Sequence, residues 1–144
     1  MNITINENFS VDLYGFAGVA SNMNWSHTGM TLMNKMWHEV RSHLLKHKGI
    51  NIWVYEEKYK MFAGIELEMP PQQDTELELK KIRLPKYAYY KHTGPYAKIR
   101  ETGSEVLNEL NQRGIKTRLP HLEIYGHWTE DESKLETELL WCLA

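Results

Sequence analysis

The sequence predicts an α+β fold built from a duplicated βαββ unit: antiparallel sheet with helices on one face, pseudo-twofold symmetry, and a groove for a ligand between the repeats. Three observations lead there. First, apolar periodicity switches between the two-residue repeat of strands and the 3.6-residue repeat of helices, in the order strand, helix, strand, strand, and does so twice. Second, the one linker-like stretch, Pro70-Pro71-Gln72-Gln73-Asp74, separates the two runs into repeats of about 10–69 and 76–144 within a single domain, 1–144. Third, motifs recur at fixed spacing. His27-Thr28-Gly29 returns as His92-Thr93-Gly94, an offset of 65 (92 − 27) that also carries Leu45 to Leu110, Gly49 to Gly114 and Ile50 to Ile115. Ile52-Trp53-Val54-Tyr55 matches Leu122-Glu123-Ile124-Tyr125 at 70 (125 − 55). Shared offsets of this kind mark an internal repeat, and ligand sites favour the internal interface that such a repeat creates.

Element by element, Val11–Ala20 is apolar and small, and its Gly15 and Gly18 predict a buried strand with a close backbone approach. A polar loop, Ser21–Gly29, follows. Met33, Met36, Trp37, Val40 and Leu44 then fall on one face of a helix over Met30–His47 that Gly49 stops, and Trp37 reads as core. Ile50–Tyr55 and Met61–Glu68 are strands joined across Glu56-Glu57-Lys58. In the second half, Leu77–Lys91 is a strand bent, or left at a sheet edge, by Pro85. Thr93, Gly94 and Pro95 start a helix carrying Ile99, Val106, Leu107 and Leu110, which ends at Gly114. Gly103 inside it predicts a close packing contact, because glycine costs about 1 kcal/mol there against alanine. Leu122–Trp128 and Leu135–Leu143 complete the half as strands.

Composition narrows the function. The 144 residues are enough to bury about 70% of the unfolded surface without disulfide or metal support. A single cysteine, Cys142, excludes a disulfide framework. No apolar run approaches the ~20 residues of a membrane helix and Met1–Ser10 lacks the pattern of a signal peptide, so a cytoplasmic protein with no membrane partner is expected. Lys plus Arg number 17 against 19 Asp plus Glu, a formal charge of −2. No basic field is present to hold nucleic acid directly.

Four segments together resemble the GyrI-like family of small-molecule or effector-binding domains, also found fused to AraC-type and MerR-type multidrug-responsive regulators. They are Ala63-Gly64-Ile65-Glu66-Leu67, Tyr87-Ala88-Tyr89-Tyr90-Lys91-His92-Thr93-Gly94-Pro95-Tyr96, Pro120-His121-Leu122-Glu123-Ile124-Tyr125, and Glu136-Thr137-Glu138-Leu139-Leu140-Trp141. The likeness spans nearly the whole chain, and Cys142 stands where family members commonly carry a proline. The resemblance implies a cleft between the repeats, lined by aromatics and closed at its base by an acidic residue, that accepts hydrophobic and often cationic molecules. By position that acid is Glu123. A chain of this length leaves no room for a helix-turn-helix domain beside the effector fold, so a stand-alone receptor is expected.

The residues themselves support a binding chemistry. Glu123 alternates with Leu122 and Ile124, so Glu123 and Tyr125 share the opposite face of their strand. A carboxylate among aromatics costs several kcal/mol to desolvate unless compensated. An organic cation compensates it, and each ring adds about 0.5–2 kcal/mol through cation–π contact. The alternative for Glu123 is a solvated or lysine-paired strand residue. The chain holds five Trp, eight Tyr and three Phe, more than such a core requires. Trp53 takes the position that the repeat pairs with Glu123, which places it across the groove. Tyr55, Tyr125, Tyr90 and Trp141 complete the wall by alternation, and Trp25 serves as a lid; a core role stays open for each. Glu138 shares a face with Glu136 and is a candidate second carboxylate of the groove, although Glu130, Asp131 and Glu132 just before them favour a solvated acidic edge. Glu66 and Glu68 carry the same ambiguity.

His43 and His47 have the i, i+4 spacing that can bind a divalent ion on a helix, yet no third ligand is evident. Lys35, Arg41, Lys46 and Lys48 around them read as a solvated basic face. His27 and His92 are assigned to local capping and packing. No cofactor or metal is expected. Two further functions stand beside the binding module. One is a hydrolase of reactive electrophiles in which Glu123 and Tyr125 activate water, which requires burial to raise the carboxyl pKa toward neutrality; no arrangement of nucleophile, base and orienting group supports it. The other is a protein partner, DNA gyrase or a DNA-binding regulator, supported only by the basic helix Lys35–Lys48.

Overall fold

In the computed structural model, which describes residues 1–144, every strand joins one closed antiparallel barrel. Its elements are β1 (Thr4–Val19), α1 (Trp25–Ser42), β2 (His47–Tyr55), β3 (Lys60–Leu67), β4 (Glu78–Thr93), α2 (Ile99–Gln112), β5 (Thr117–Tyr125) and β6 (Glu136–Leu143). Each half therefore runs strand, helix, strand, strand, and the strand order around the barrel is β1-β3-β2-β5-β6-β4. Closure comes from the two longest strands. The first part of β1 pairs with β4, from Thr4 opposite Tyr89 to Gly15 opposite Glu78, while Tyr14–Val19 pairs with β3. Pro85 lies in the part of β4 that β6 does not reach, since that pairing begins at Tyr87, and the β1 register passes over it from Lys86 opposite Glu7 to Leu84 opposite Phe9.

Strand alternation sorts the core into two faces. Inside the barrel lie Val11, Leu13, Ile52, Val54, Phe62, Ile82, Leu84, Leu122, Leu140 and Cys142. Outside, α1 buries Met36 and Val40 against Phe16, Ile65 and Leu67, and α2 buries Ile99, Val106 and Leu110 against Ala88, Leu139 and Trp141. The helices thus cover β1/β3 and β4/β6. The outer faces of β2 and β5, side by side in the strand order, are left between them. Gly15 makes the close backbone approach expected of it: a Cβ there would lie 1.9 Å from the Ala63 carbonyl oxygen and 2.6 Å from Gly64 Cα. Gly18 faces the Leu32 side chain instead.

The helix boundaries differ from the expected ones. Ser21–Gly29 is not a loop throughout, because α1 begins at Trp25, where Asn24 Oδ1 accepts the His27 N–H at 3.3 Å. A polar first turn containing glycine hides that start. α1 also ends at Ser42 rather than near Gly49, since Leu44 adopts a φ of 51° and is 88% exposed. Gly49, with a φ of 79°, lies instead in β2 where the register against β3 shifts. Both helices close alike. Leu45 N–H donates to the Val40 carbonyl at 3.0 Å and Ile115 N–H to the Leu110 carbonyl at 2.9 Å, so the helix ends correspond at the offset of 70 and not at 65. His27-Thr28-Gly29 falls inside α1 whereas His92-Thr93 ends β4, so that pair of motifs is not structurally equivalent.

These boundaries revise three smaller expectations. His43 and His47 do not share a helix, because one caps α1 and the other opens β2. The basic face is shorter than Lys35–Lys48: Lys46 and Lys48 leave the helix, Lys35 Nζ lies 4.1 Å from the Phe16 ring centroid, and Arg41 stacks on Trp37. Trp37 is half-buried rather than core, with its Nε1–H donating to Asn51 Oδ1 at 2.8 Å. No helix is long and apolar enough to cross a membrane.

Candidate functional site

The β2–β5 pair sets the floor of the site. Trp53 is the register partner of Glu123, and Tyr55 that of His121, so with Tyr125 these side chains share the outer face. Their neighbours Ile52, Val54 and Leu122 turn inward to the barrel core, which is what forces the polar and aromatic set outward. Trp53 is therefore beside Glu123 on the adjacent strand, not across a groove from it. β6 adds Trp141, the register partner of His121.

The Glu123 side chain is 13% exposed. Its Oε1 accepts the Tyr55 hydroxyl at 2.7 Å and also the Tyr125 hydroxyl. His121 Nε2 lies 3.9 Å from Oε2. Burial alone would raise the Glu123 carboxyl pKa; the His121 ring, then the Tyr125 and Tyr55 hydroxyls, outweigh it and hold the carboxyl below its ordinary value. Burial, followed by the charge of Glu123, pushes both phenols upward. A group whose pKa is raised by folding gives stability that is complete below its unfolded value and lost above it, so these phenols favour the folded state up to about pH 10 and penalise it beyond. In an alkaline titration followed at the tyrosinate absorbance, Tyr55 and Tyr125 are expected to be among the tyrosines that ionise only as the chain unfolds, together with Tyr89, which burial and Glu138 also push upward.

Rings close over this carboxylate. Trp25, in the first turn of α1, meets Tyr55 edge-on at 5.3 Å and leans on Tyr59 at 5.8 Å. Tyr125 meets Trp53 at 5.5 Å and Tyr96 at 5.6 Å, both edge-on. His121 is sandwiched between Tyr55 at 5.5 Å and Trp141 at 4.6 Å, nearly parallel to each. Trp53 is buried, and its Nε1–H finds no acceptor in the protein, which leaves one donor inside the cluster unspent. Its indole is seated against Gly29 of α1, where a Cβ would come within 2.3–2.6 Å of three ring carbons. The tight glycine contact is here and not at Gly103, whose Cβ would make an ordinary 3.7 Å contact with Trp141. Gly29→Ala is expected to displace the indole and cost about 1–3 kcal/mol of stability, visible as a shifted tryptophan emission and a lower Tm.

Of the candidates, the structure brings together Glu123, Tyr125, Trp53, Tyr55, Trp141 and Trp25. Tyr90 lies further off: Leu139 of β6 stands between it and Glu123 in register, and it packs against the α2 cluster. Glu138 is placed apart from the cluster. Thr137, Leu139 and Trp141 take the outer face of β6, so Glu138 turns to the inner one and accepts the Tyr89 hydroxyl at 2.7 Å. Glu136 pairs with Lys91 and Glu66 with Lys48 at exposed positions. His92 bridges the Pro95 carbonyl and the Thr102 hydroxyl. Three members of the cluster were not anticipated: His121, Tyr59 and Tyr96. Alternation along Pro120–Tyr125 already puts His121, Glu123 and Tyr125 on one side, whereas Tyr59 and Tyr96 lie in turns where no periodicity reports direction. Two surface hollows of about 280 and 330 Å³ lie elsewhere, one lined by Ser10, Asp12, Glu66 and Arg83 among others, the second by Glu56, Lys58, Lys60 and Pro120 among others.

Solved structures share this architecture. The C-terminal domain of EcmrR superposes with a TM-score of 0.76 at 14% identity, covering 99% of this chain and 97% of that one. SAV2435, solved bound to tetraphenylphosphonium, gives 0.69 at 17% identity over 100% and 94%. A hydrolase from Listeria innocua gives 0.60 at 10% identity over 99% and 91%. At such identities these likenesses establish the fold. No curated protein sequence matches the chain. The family model of the GyrI-like small molecule binding domain matches residues 14–143, which takes in all but the first part of β1, both helices and the whole ring-lined carboxylate: the chain belongs to the GyrI-like family.

Proposed function

We propose that this small-molecule-binding domain takes lipophilic organic cations, with Glu123 as the counter-charge and the surrounding rings as the apolar wall. One observation carries the reading: a carboxylate only 13% exposed, held below its ordinary pKa and so ionised at neutral pH, lies beside Trp53, Tyr55 and Tyr125, with Trp25 packed on Tyr55 and Trp141 on His121 to extend the ring cluster. A buried negative charge of this kind favours a positive partner, and ring faces reward one further. The tetraphenylphosphonium bound to SAV2435 supports the choice of cation class. Because Glu123 is covered, a ligand reaches it only if outer rings move, and Trp25, Tyr59 and Tyr96, the last two 49% and 41% exposed, are the outer rings of the cluster.

The site disfavours the hydrolytic alternative. General acid or base work near neutral pH needs a carboxyl pKa raised toward 7, and here the direction is downward. Tryptophan fluorescence titrated with tetraphenylphosphonium and with the neutral triphenylphosphine oxide tests the proposal. Saturable quenching by the phosphonium at micromolar concentration, with at least tenfold weaker response to the oxide, is the expected result. Equal response to both would remove Glu123 from the explanation.

A further inference from the structure

His121 is the one basic side chain facing the Glu123 carboxylate, and its hydrogen bonding fixes where its protons are. Nδ1 lies 3.0 Å from the Leu140 carbonyl oxygen, which can only accept, so Nδ1 carries a hydrogen. Nε2 is then the ring position left free to hold a second proton, and it faces Glu123 Oε2 at 3.9 Å. A neutral ring would aim its lone pair at the carboxylate; a protonated one aims an N–H. The faces of Tyr55 and Trp141, parallel to the imidazole on either side, reward the positive form as well. Both partners are largely out of water, at 18% and 13% exposed, so solvent does little to screen the pair.

We propose that His121 is the resident counter-cation of the site: protonated on Nε2 it neutralises Glu123 in the free protein, and an incoming organic cation takes its place by driving that proton off. The proposal rests on the cation-binding reading above and adds its regulation. Two positive charges cannot share one shielded carboxylate without strong repulsion, so the Nε2–H bond breaks, its electron pair stays on nitrogen, and the proton passes to solvent. The site keeps the same net charge before and after. Because binding expels a proton, affinity rises with pH wherever the free protein holds that proton. The other groups around His121 are silent there. On β5 and β2, Glu123 stays ionised, and the Tyr125 and Tyr55 phenols stay protonated. β6 offers Trp141 and the Leu140 carbonyl, neither of which titrates, and Glu56, just beyond Tyr55, is held by Lys80 at 2.7 Å.

Calorimetric titration of the whole chain with tetraphenylphosphonium, in two buffers of different ionisation heat between about pH 5.5 and 8, reads the exchange directly. The expected result at the acid end is close to one proton released per cation bound, with affinity rising toward tenfold per pH unit. In His121→Phe and His121→Gln the release disappears and the slope flattens. Triphenylphosphine oxide releases no proton in either background. Cation binding by the native chain with buffer-independent heat and a flat pH profile would overturn the exchange while leaving the cation site standing, a result that does not depend on either variant folding. Proton release that persists in both variants would overturn it equally. Failure of the phosphonium to bind at any pH would overturn the cation site and this exchange with it.

Discussion

Replacing Glu123 by Gln is expected to weaken tetraphenylphosphonium binding about 100-fold or more, or about 2.7 kcal/mol, while leaving triphenylphosphine oxide within about threefold. The carboxamide keeps the volume of the side chain and an oxygen for the Tyr55 and Tyr125 hydroxyls, so the rings keep their places. What vanishes is the charge. Removing one partner of a buried ion pair costs about 3–5 kcal/mol. The loss read here is smaller because in the native chain the ligand must displace His121, which already neutralises part of that field. Parallel fluorescence titrations of the native chain and Glu123→Gln measure the difference. Equal loss for cation and neutral compound would mean that the substitution had collapsed the ring cluster; no loss for either would mean that the ligand binds elsewhere.

Gly15→Ala is expected to be the most damaging single-methyl addition to the barrel. Its Cβ would lie 1.9 Å from the Ala63 carbonyl oxygen and 2.6 Å from Gly64 Cα, and both obstacles are backbone. A flexible side chain can turn away from such a contact, but a paired strand cannot. β1 and β3 would have to separate at the point where β1 passes from β4 to β3, opening the ladder that closes the barrel. A cost of about 3 kcal/mol follows from overpacking of this severity. For a chain of this size it lowers Tm by about 10 °C, readable by thermal denaturation. Gly103→Ala is the control: its Cβ would meet only Trp141 Cζ2 at 3.7 Å, and alanine favours the helix, so stability should hold or rise. Equal loss in both variants would show that helix or strand glycines matter here for chain flexibility rather than contact.

Much of the fold is legible in the order of periodicities. Apolar and alternating runs located all six strands, and the stripes Met36/Val40 and Val106/Leu110 located the buried faces of both helices. Yet β1 begins at Thr4 rather than Val11 and β5 spans Thr117–Tyr125 rather than Leu122–Trp128, because mostly exposed, polar strand ends carry little apolar signal and Trp128 lies exposed beyond the sheet. Boundaries were less legible where a residue type has two uses. Gly49 stops helices in general, yet here it supplies a positive φ within a strand, while Leu44, a good helix former, takes the left-handed turn that ends α1. Likewise the His-Thr-Gly match at an offset of 65 was a likeness of letters. The offset of 70, which joins Tyr55 to Tyr125 and Val40 to Leu110, is the one that the hydrogen bonding of the helix ends supports.

The sequence by itself determined which side chains share a face. A period of two puts His121, Glu123 and Tyr125 together, and Trp53 and Tyr55 together, whatever the rest of the chain does. Only the tertiary structure decided which faces meet. Barrel closure turned Glu138 inward to Tyr89 and Trp141 outward onto His121, since a strand in a closed sheet has one face committed to the interior. The pairing of β2 with β5 then joined two sequence-distant faces into one floor, and the Gly29 notch in α1 let Trp53 lie flat beneath the helix. Register and inter-element distance are collective properties of the packed barrel, and local sequence carries neither.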